Sequence, residues 1–191
     1  IHIWCFVDDF LIAGDDEYLT KLGGEIFEQL LHELGFEWAP HKQRGPCRSI
    51  EFLGLLICNL PDRPVMALTR KRQARLREML DGWASRRPRR GHLKAGAREV
   101  AQLLGHLVFA SQVVPGGRTY MQYMLQTFQG LEVDWKRGSV RFAGSSAWRA
   151  LELSEGFWRD LDWWRDHLER RNCVPLSDEE RRDCLLSTSP S

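Results

Sequence analysis

The amino-acid sequence predicts an α+β fold. Short apolar runs rich in β-branched and aromatic residues are bounded by Gly, Pro, Asn or Asp, which is typical of strands in hairpins. Longer stretches repeat their apolar residues about every 3.6 positions, which is typical of amphipathic helices. Hairpin patterns occur at residues 1–14, 50–68 and 133–142, and helical patterns occur at 17–34, from Thr69, and at 97–112, 119–128 and 154–170, so the chain combines both kinds of element.

The composition is ordinary for a soluble protein and gives no sign of a membrane span. The 191 residues are 43% hydrophobic and 28% charged, and no apolar run is long enough to cross a bilayer. No secretory signal is present, and the five cysteines are scattered without a C-x-x-C pair. We therefore expect an intracellular protein with reduced thiols, no zinc site and no membrane partner. Ile1 already lies in a strand pattern, which predicts a fragment of a longer protein.

The charge of the chain is distributed asymmetrically. Residues 1–69 carry 5 basic and 11 acidic side chains, a net charge of −6. Residues 70–98 carry 11 basic and 2 acidic side chains, a net charge of +9, and residues 99–191 carry 11 and 13, a net charge of −2. An acidic portion followed by a strongly basic one suits a metal site beside a track for a polyanion.

The first element is a predicted hairpin over residues 1–14, which are almost all apolar except for Asp8 and Asp9 in the middle. We expect two buried strands joined by a very tight turn at Asp8-Asp9. An unpaired carboxylate beside apolar surface costs several kcal/mol, and no Lys or Arg occurs before Lys21. A hard divalent cation such as Mg²⁺ is the favoured partner. The alternative is an exposed hairpin whose two aspartates are solvated.

A helix is predicted next, from Glu17 to Leu34, and an irregular segment follows it. An apolar stripe with helical spacing indicates the helix, Gly35 closes it, and Asp15-Asp16 precedes it in a position suited to capping. Gly23-Gly24 would let the helix approach a sheet closely, so we place it under the hairpin.

The irregular segment leads into a second predicted hairpin. Ile50–Ile57 has the pattern of a strand, and Val65–Leu68 is its expected partner. Gly54 inside the strand indicates a bulge or a close approach of another backbone.

A basic helix is predicted from Thr69, its candidate N-cap, followed by a basic connector broken by Pro88. The basic residues that we expect to contact phosphates are Arg70, Lys71, Arg72 and Arg75 on the helix and Arg86, Arg87, Arg89 and Arg90 in the connector. Such contacts depend on salt and carry no sequence preference. The alternative is an ordinary solvated face.

The remaining elements are three helices and a small hairpin. Helical spacing predicts helices at 97–112, 119–128 and 154–170, the last rich in tryptophan. Alternation on either side of Arg137-Gly138 predicts a hairpin at 133–142.

The motifs in this chain resemble, in order, those of reverse transcriptases. Phe6-Val7-Asp8-Asp9 between two apolar runs is similar to the aromatic-x-Asp-Asp motif of their palm hairpin. The segments that follow at about the family's spacing are Leu34-Gly35-Phe36, Lys42, Gly45-Pro46, Phe52-Leu53-Gly54, residues 103–107, residues 113–118 and residues 160–164. The polymerases of tyrosine-recombinase (DIRS-like) retrotransposons are the most similar group that we can name, and the resemblance covers residues 1 to about 170.

The resemblance implies a partial polymerase: the C-terminal part of a palm at 1–68, a helical thumb at 69–130, and at 131–191 a connection leading toward a ribonuclease H-like domain. Asp8 and, second, Asp9 would hold two Mg²⁺ ions for nucleotidyl transfer. Lys42 would lie near the nucleotide phosphates, and Phe52, Leu53 and Gly54 would grip the primer. For Lys42 and for this hairpin, an ordinary loop lysine and an ordinary core hairpin remain open.

The implied partners are an RNA/DNA primer-template, deoxynucleotides, and an upstream fingers and palm segment of the same polypeptide. That segment would supply a third carboxylate, so we expect this chain alone to bind Mg²⁺ weakly and not to polymerise. Ser189 stands where a ribonuclease H domain would begin with aspartate, so no nuclease activity is expected. A non-catalytic nucleic-acid-binding remnant and a purely structural fragment are the other two hypotheses.

Overall fold

The computed structural model describes residues 1–37, 44–59, 63–89 and 93–176, and within them the fold is α+β. The strands are β1 (His2–Phe6), β2 (Asp9–Ala13), β3 (Ser49–Phe52), β4 (Leu55–Asn59), β5 (Pro64–Leu68), β6 (Lys94–Ala95), β7 (Leu131–Asp134), β8 (Ser139–Phe142), β9 (Leu151–Glu152) and β10 (Val174–Pro175). The helices are α1 (Glu17–Glu33), α2 (Arg70–Ser85), α3 (Ala97–Ala110), α4 (Gln122–Gln126) and α5 (Glu155–His167), with a 3₁₀ helix at Thr119–Met121. None of the described helices is both long and apolar enough to span a membrane.

The first hairpin forms as predicted, but its turn lies one residue earlier than expected. Phe6 pairs with Asp9, so Val7 and Asp8 are the two turn residues and Asp9 begins β2. Val7 has a φ of 58°, in the left-handed region. The carboxylates are therefore divided between the turn and the strand and do not form the turn together.

Helix α1 lies against β2 as predicted, with the rings of Phe10 and Phe27 edge to face at 5.0 Å. Asp16 caps its first turn by accepting the Leu19 N–H at 2.8 Å, and Gly23 approaches Ile1 closely. The prediction that the two strands are buried is wrong. Every residue of β1 is exposed and α1 contains no buried residue, because α1 packs on β2 and leaves β1 and much of its own apolar stripe open.

The second sheet has the antiparallel order β10-β5-β4-β3. The single strand predicted at 50–57 is two strands, since Leu53 (φ 51°) and Gly54 (φ 79°) form a two-residue turn between β3 and β4. Two successive residues with positive φ suit a tight hairpin turn, which normally carries Asn-Gly rather than Leu-Gly. The expected pairing of residues 65–68 with the preceding strand is confirmed by the β4–β5 register.

The core lies between α2, α3, α4 and α5 and is continuous across residue 130. Its largest fully buried side chains include Leu80, Leu103, Leu107, Phe157 and Trp164. Thr69 caps α2 as predicted, by accepting the N–H group of Arg72 at 3.3 Å, and Ser154 caps α5 in the same way, by accepting the N–H group of Phe157 at 3.3 Å. Helices α2 and α5 are also joined by ion pairs, such as Arg165 with Asp81 at 2.9 Å. The core thus fixes the position of α2, whose basic first turn contributes to the candidate site.

Asp160 is a buried carboxylate that fixes the start of α4. Its side chain is 3% exposed, and Oδ2 accepts the backbone N–H groups of Tyr123 at 2.9 Å and Met124 at 3.2 Å. Burial raises the pKa of the Asp160 carboxyl above its usual 3.8, although the two N–H donors and Arg159 act in the opposite direction. The native protein therefore holds this proton more tightly than the unfolded chain does, and the contribution of Asp160 to stability falls as pH rises above 3.8.

Asp160→Ala is expected to lower the free energy of unfolding by about 2–3 kcal/mol, because two N–H groups at the start of α4 lose their buried acceptor. Asp160→Asn keeps an acceptor oxygen and is the matched control, with an expected loss below about 1 kcal/mol. The asparagine variant should also lack the decline in stability with rising pH. Urea unfolding followed by circular dichroism at several pH values measures both effects, and equal stabilities of the two variants would contradict the capping role.

Candidate nucleic-acid interface and metal-binding hairpin

The tip of the β1–β2 hairpin presents two exposed carboxylates. Asp8 lies in the turn and Asp9 at the first position of β2. Within the described residues, neither carboxylate forms an ion pair. Two hard oxygen donors without a cationic partner suit Mg²⁺. Their exposure is equally compatible with solvated aspartates, the alternative expected from the sequence.

The turn that carries Asp8 is strained. Val7 is 82% exposed and has a φ of 58°, a conformation that a β-branched residue rarely adopts. Holding it there costs about 1–3 kcal/mol, and such strain is concentrated at functional sites. The exposed Val7 side chain gains little from burial that could offset this cost.

The hairpin does not complete a metal site by itself. No group of three or more His, Cys, Asp or Glu side chains placed to hold a metal ion occurs in the described part of the chain. The second acidic pair, Asp15-Asp16, differs from the first in its local role, because Asp16 is engaged as the N-cap of α1. It therefore provides an internal comparison for the properties of Asp8 and Asp9.

Two of the predicted site residues, Lys42 and Arg90, lie outside the described residues. The predicted primer-gripping residues form the β3–β4 turn and its flank, with Phe52 half-buried and Leu53 exposed. Gly54 lies in a turn and not inside a strand, and the group that approaches it is a side chain, not the backbone that was predicted: a Cβ there would overlap the Arg72 guanidinium. The turn is thus brought directly against the basic end of α2.

A cavity of about 340 Å³ lies where the β3–β4 turn, α2 and α3 meet. Its polar side chains are those of Glu51, Thr69, Lys71, Arg72, Arg75 and His106. The Arg72 guanidinium lies over the ring of Phe109, 4.4 Å from its centroid. Burial, and after it the charges of Arg75 and Arg72, lower the pKa of His106 below its usual 6.5. This arrangement favours binding of an anion.

The structure divides the predicted basic track into two parts. Lys71, Arg72 and Arg75 line the cavity at the start of α2, and Arg70 is exposed beside them. At the other end of the helix, Arg86 pairs with Glu99 at 3.1 Å, while Arg87 pairs with Glu155 at 2.5 Å and Asp162 at 2.8 Å. These internal acids offset the charges of Arg86 and Arg87, whereas Arg89 is exposed.

His106, Phe109 and Glu51 belong to this site but were not predicted from the sequence as functional residues. His106 and Phe109 belong to the helical pattern of α3, and Glu51 alternates with apolar residues in β3. Neither the helical periodicity of α3 nor the alternation in β3 marks these residues as parts of a binding site. Comparison of the chain with models of known protein families and with curated proteins finds no match.

Proposed function

We propose that this chain is part of a reverse transcriptase, an RNA-directed DNA polymerase, and that the β1–β2 hairpin carries two of its metal ligands, Asp8 and Asp9. The observation that carries the proposal is the pair of exposed carboxylates, without an ion-pair partner among the described residues, on and beside a strained turn. The ordered motifs downstream support the same assignment. Residues 1–68 would be the C-terminal part of the palm, 69–130 the thumb and 131–191 the connection.

The chemistry that we assign to the complete polymerase is nucleotidyl transfer. The primer 3′-hydroxyl attacks the α-phosphate of a deoxynucleotide, the bond to the β-phosphate breaks, and pyrophosphate leaves. Two Mg²⁺ ions, when bound, stabilise the attacking and leaving oxygens. Asp8 and Asp9 would hold them, Lys42 would neutralise or protonate the leaving pyrophosphate, and the β3–β4 turn would position the primer end.

Two carboxylates are too few for this site, and the described residues supply no third acidic ligand beside them. We therefore propose that an upstream palm and fingers segment of the same intracellular polypeptide supplies it and covers the deoxynucleotide. The isolated chain would bind Mg²⁺ weakly. The exposed apolar side chains of β1 and α1 give that segment a surface on which to pack.

Mn²⁺ titration of the isolated chain, followed by the NMR signals of backbone amides, tests the metal assignment. Mn²⁺ occupies the same oxygen sites as Mg²⁺ and broadens nearby signals. The amides of Asp8 and Asp9 are expected to broaden at Mn²⁺ concentrations that leave those of Asp15 and Asp16 visible, because Asp16 is already engaged as a helix cap. Equal broadening at both pairs, or unchanged broadening in the Asp8→Asn/Asp9→Asn double variant, would refute the assignment.

The second candidate function is nucleic-acid binding without catalysis, which the cationic cavity beside Gly54 favours. In that case duplex binding would be retained and would weaken steeply with salt, while the hairpin would show no preference for Mn²⁺. The two measurements together distinguish the polymerase from a binding remnant. A purely structural fragment would show neither property.

A further inference from the structure

The cavity between the β3–β4 turn, α2 and α3 concentrates positive charge. Lys71, Arg72 and Arg75 line it, and within the described ranges none of the three forms an ion pair with an acidic side chain. Among the residues that the structure describes, Glu51 is the one acidic side chain in its lining. Three cations facing one carboxylate leave a positive excess that a phosphate would neutralise.

Arg72 is held in place before any ligand arrives. One face of its guanidinium lies on the Phe109 ring. Gly54, whose backbone is in the left-handed region, leaves room for the guanidinium, because a Cβ at position 54 would overlap it. A guanidinium whose rotamer is already fixed loses less conformational entropy on binding. The planar fork also matches the oxygen geometry of a phosphate better than an ammonium does.

His106 contributes a titratable imidazole to the lining of this cavity. Burial and the two neighbouring arginines disfavour its protonated form in the free protein, since they lower its pKa. The charged groups that share the cavity with it are Lys71, Arg72 and Arg75 from α2 and Glu51 from β3. The negative charge of a bound phosphate would offset the positive charges of the arginines and so favour the protonated form of His106.

We infer that this cavity binds a phosphate group of a nucleic-acid strand and that His106 takes up a proton as the phosphate enters. The inference deepens the proposed function and depends on its nucleic-acid partner, but it does not depend on catalysis or on the metal hairpin. Binding is strengthened at low pH, and the strengthening is lost as pH rises through the pKa of His106 in the complex.

Fluorescence anisotropy of a labelled RNA/DNA primer-template duplex tests the inference at constant ionic strength. For one proton taken up, affinity falls by at most about tenfold per pH unit, and we expect a fall of about three- to tenfold between about pH 6 and pH 8. His106→Gln, which is neutral, should bind with the high-pH affinity of the wild type at every pH. His32→Gln removes an exposed histidine on α1 and should keep the wild-type profile.

A second measurement follows the protonation of His106 directly by NMR. The ring signals of His106 in the wild-type protein should titrate at a higher pH with saturating duplex than without it. Duplex binding that is independent of pH, or equally dependent on pH in His106→Gln, would overturn the inference while leaving the proposed function intact. A failure to bind duplex at any pH would overturn both the inference and the nucleic-acid partner, and the Mn²⁺ titration would still report separately on the hairpin.

Discussion

Asp8→Asn is expected to slow DNA synthesis at least about a hundredfold in the complete polymerase to which we assign this chain, because losing one anionic metal ligand removes several kcal/mol of transition-state stabilisation. Asparagine has nearly the same shape as aspartate, and Asp8 is exposed in the turn, so the fold should be unaffected. The measurement is the rate of primer extension on an RNA template in Mg²⁺. Asp9→Asn should also slow synthesis, but we expect it to reduce the extension rate less than Asp8→Asn does.

The matched control for Asp8→Asn is Asp15→Asn. It removes the same charge from the other Asp-Asp pair and leaves the Asp16 cap of α1 in place, so extension rates should stay within about twofold of the wild type. An Asp8→Asn variant with nearly normal synthesis would show that this carboxylate is not a metal ligand. Template-directed synthesis by the isolated 191-residue chain would show that no further acidic ligand is required.

The local features of the fold were predictable because their signals are local. The start of α1, the capping role of Thr69 and the β4–β5 pairing all follow from periodicity and from residues within one turn of the element concerned. The turn of the first hairpin was misplaced by one residue. Because aspartate tolerates positive φ better than valine, the sequence favours a turn at the two aspartates. The observed strand register instead leaves Val7 and Asp8 in the turn, with Val7 at positive φ.

The burial of elements was harder to predict than their type. An apolar stripe shows that α1 is amphipathic, but it carries no information about what covers the stripe, and in the described chain Ile26 remains 60% exposed. The β3–β4 turn was missed for a related reason. Residues 50–57 form one nearly continuous apolar run, and Leu53 lacks the preference for positive φ that marks a hairpin turn.

The candidate anion site could not be predicted because its parts are distant in sequence. Gly54, Arg72 and His106 come from three elements, and only tertiary packing brings them to one cavity. The same packing ties Arg87 to Glu155 and Asp162, more than sixty residues away, and so removes it from the basic track that composition indicated. A run of basic residues in the sequence therefore shows how many cations are present, but it does not show which of them remain available to bind a phosphate.

Trp164 is one of the largest fully buried side chains of the core and lies on α5. Its side chain is fully buried, and its Nε1–H donates to the Tyr120 carbonyl at 2.9 Å. The ring of Trp163 meets it edge to face at 5.6 Å. A Cβ at Gly117 would lie 2.7 Å from the Trp164 ring, so the chain passes this ring at a distance that only glycine permits.

Trp164→Ala is expected to lower the free energy of unfolding by about 3–5 kcal/mol, because it empties a cavity in the core and leaves the Tyr120 carbonyl without its donor. That loss is a large part of the stability of an ordinary domain, so partial unfolding at moderate temperature should accompany it. Trp164→Phe keeps much of the ring but loses the donor, and the expected cost is about 1–2 kcal/mol. Trp135→Ala removes a half-exposed tryptophan and should cost less than about 1 kcal/mol. Urea denaturation followed by circular dichroism ranks the three variants, and a Trp164→Ala protein as stable as Trp135→Ala would mean that α5 is not held to the core through this ring.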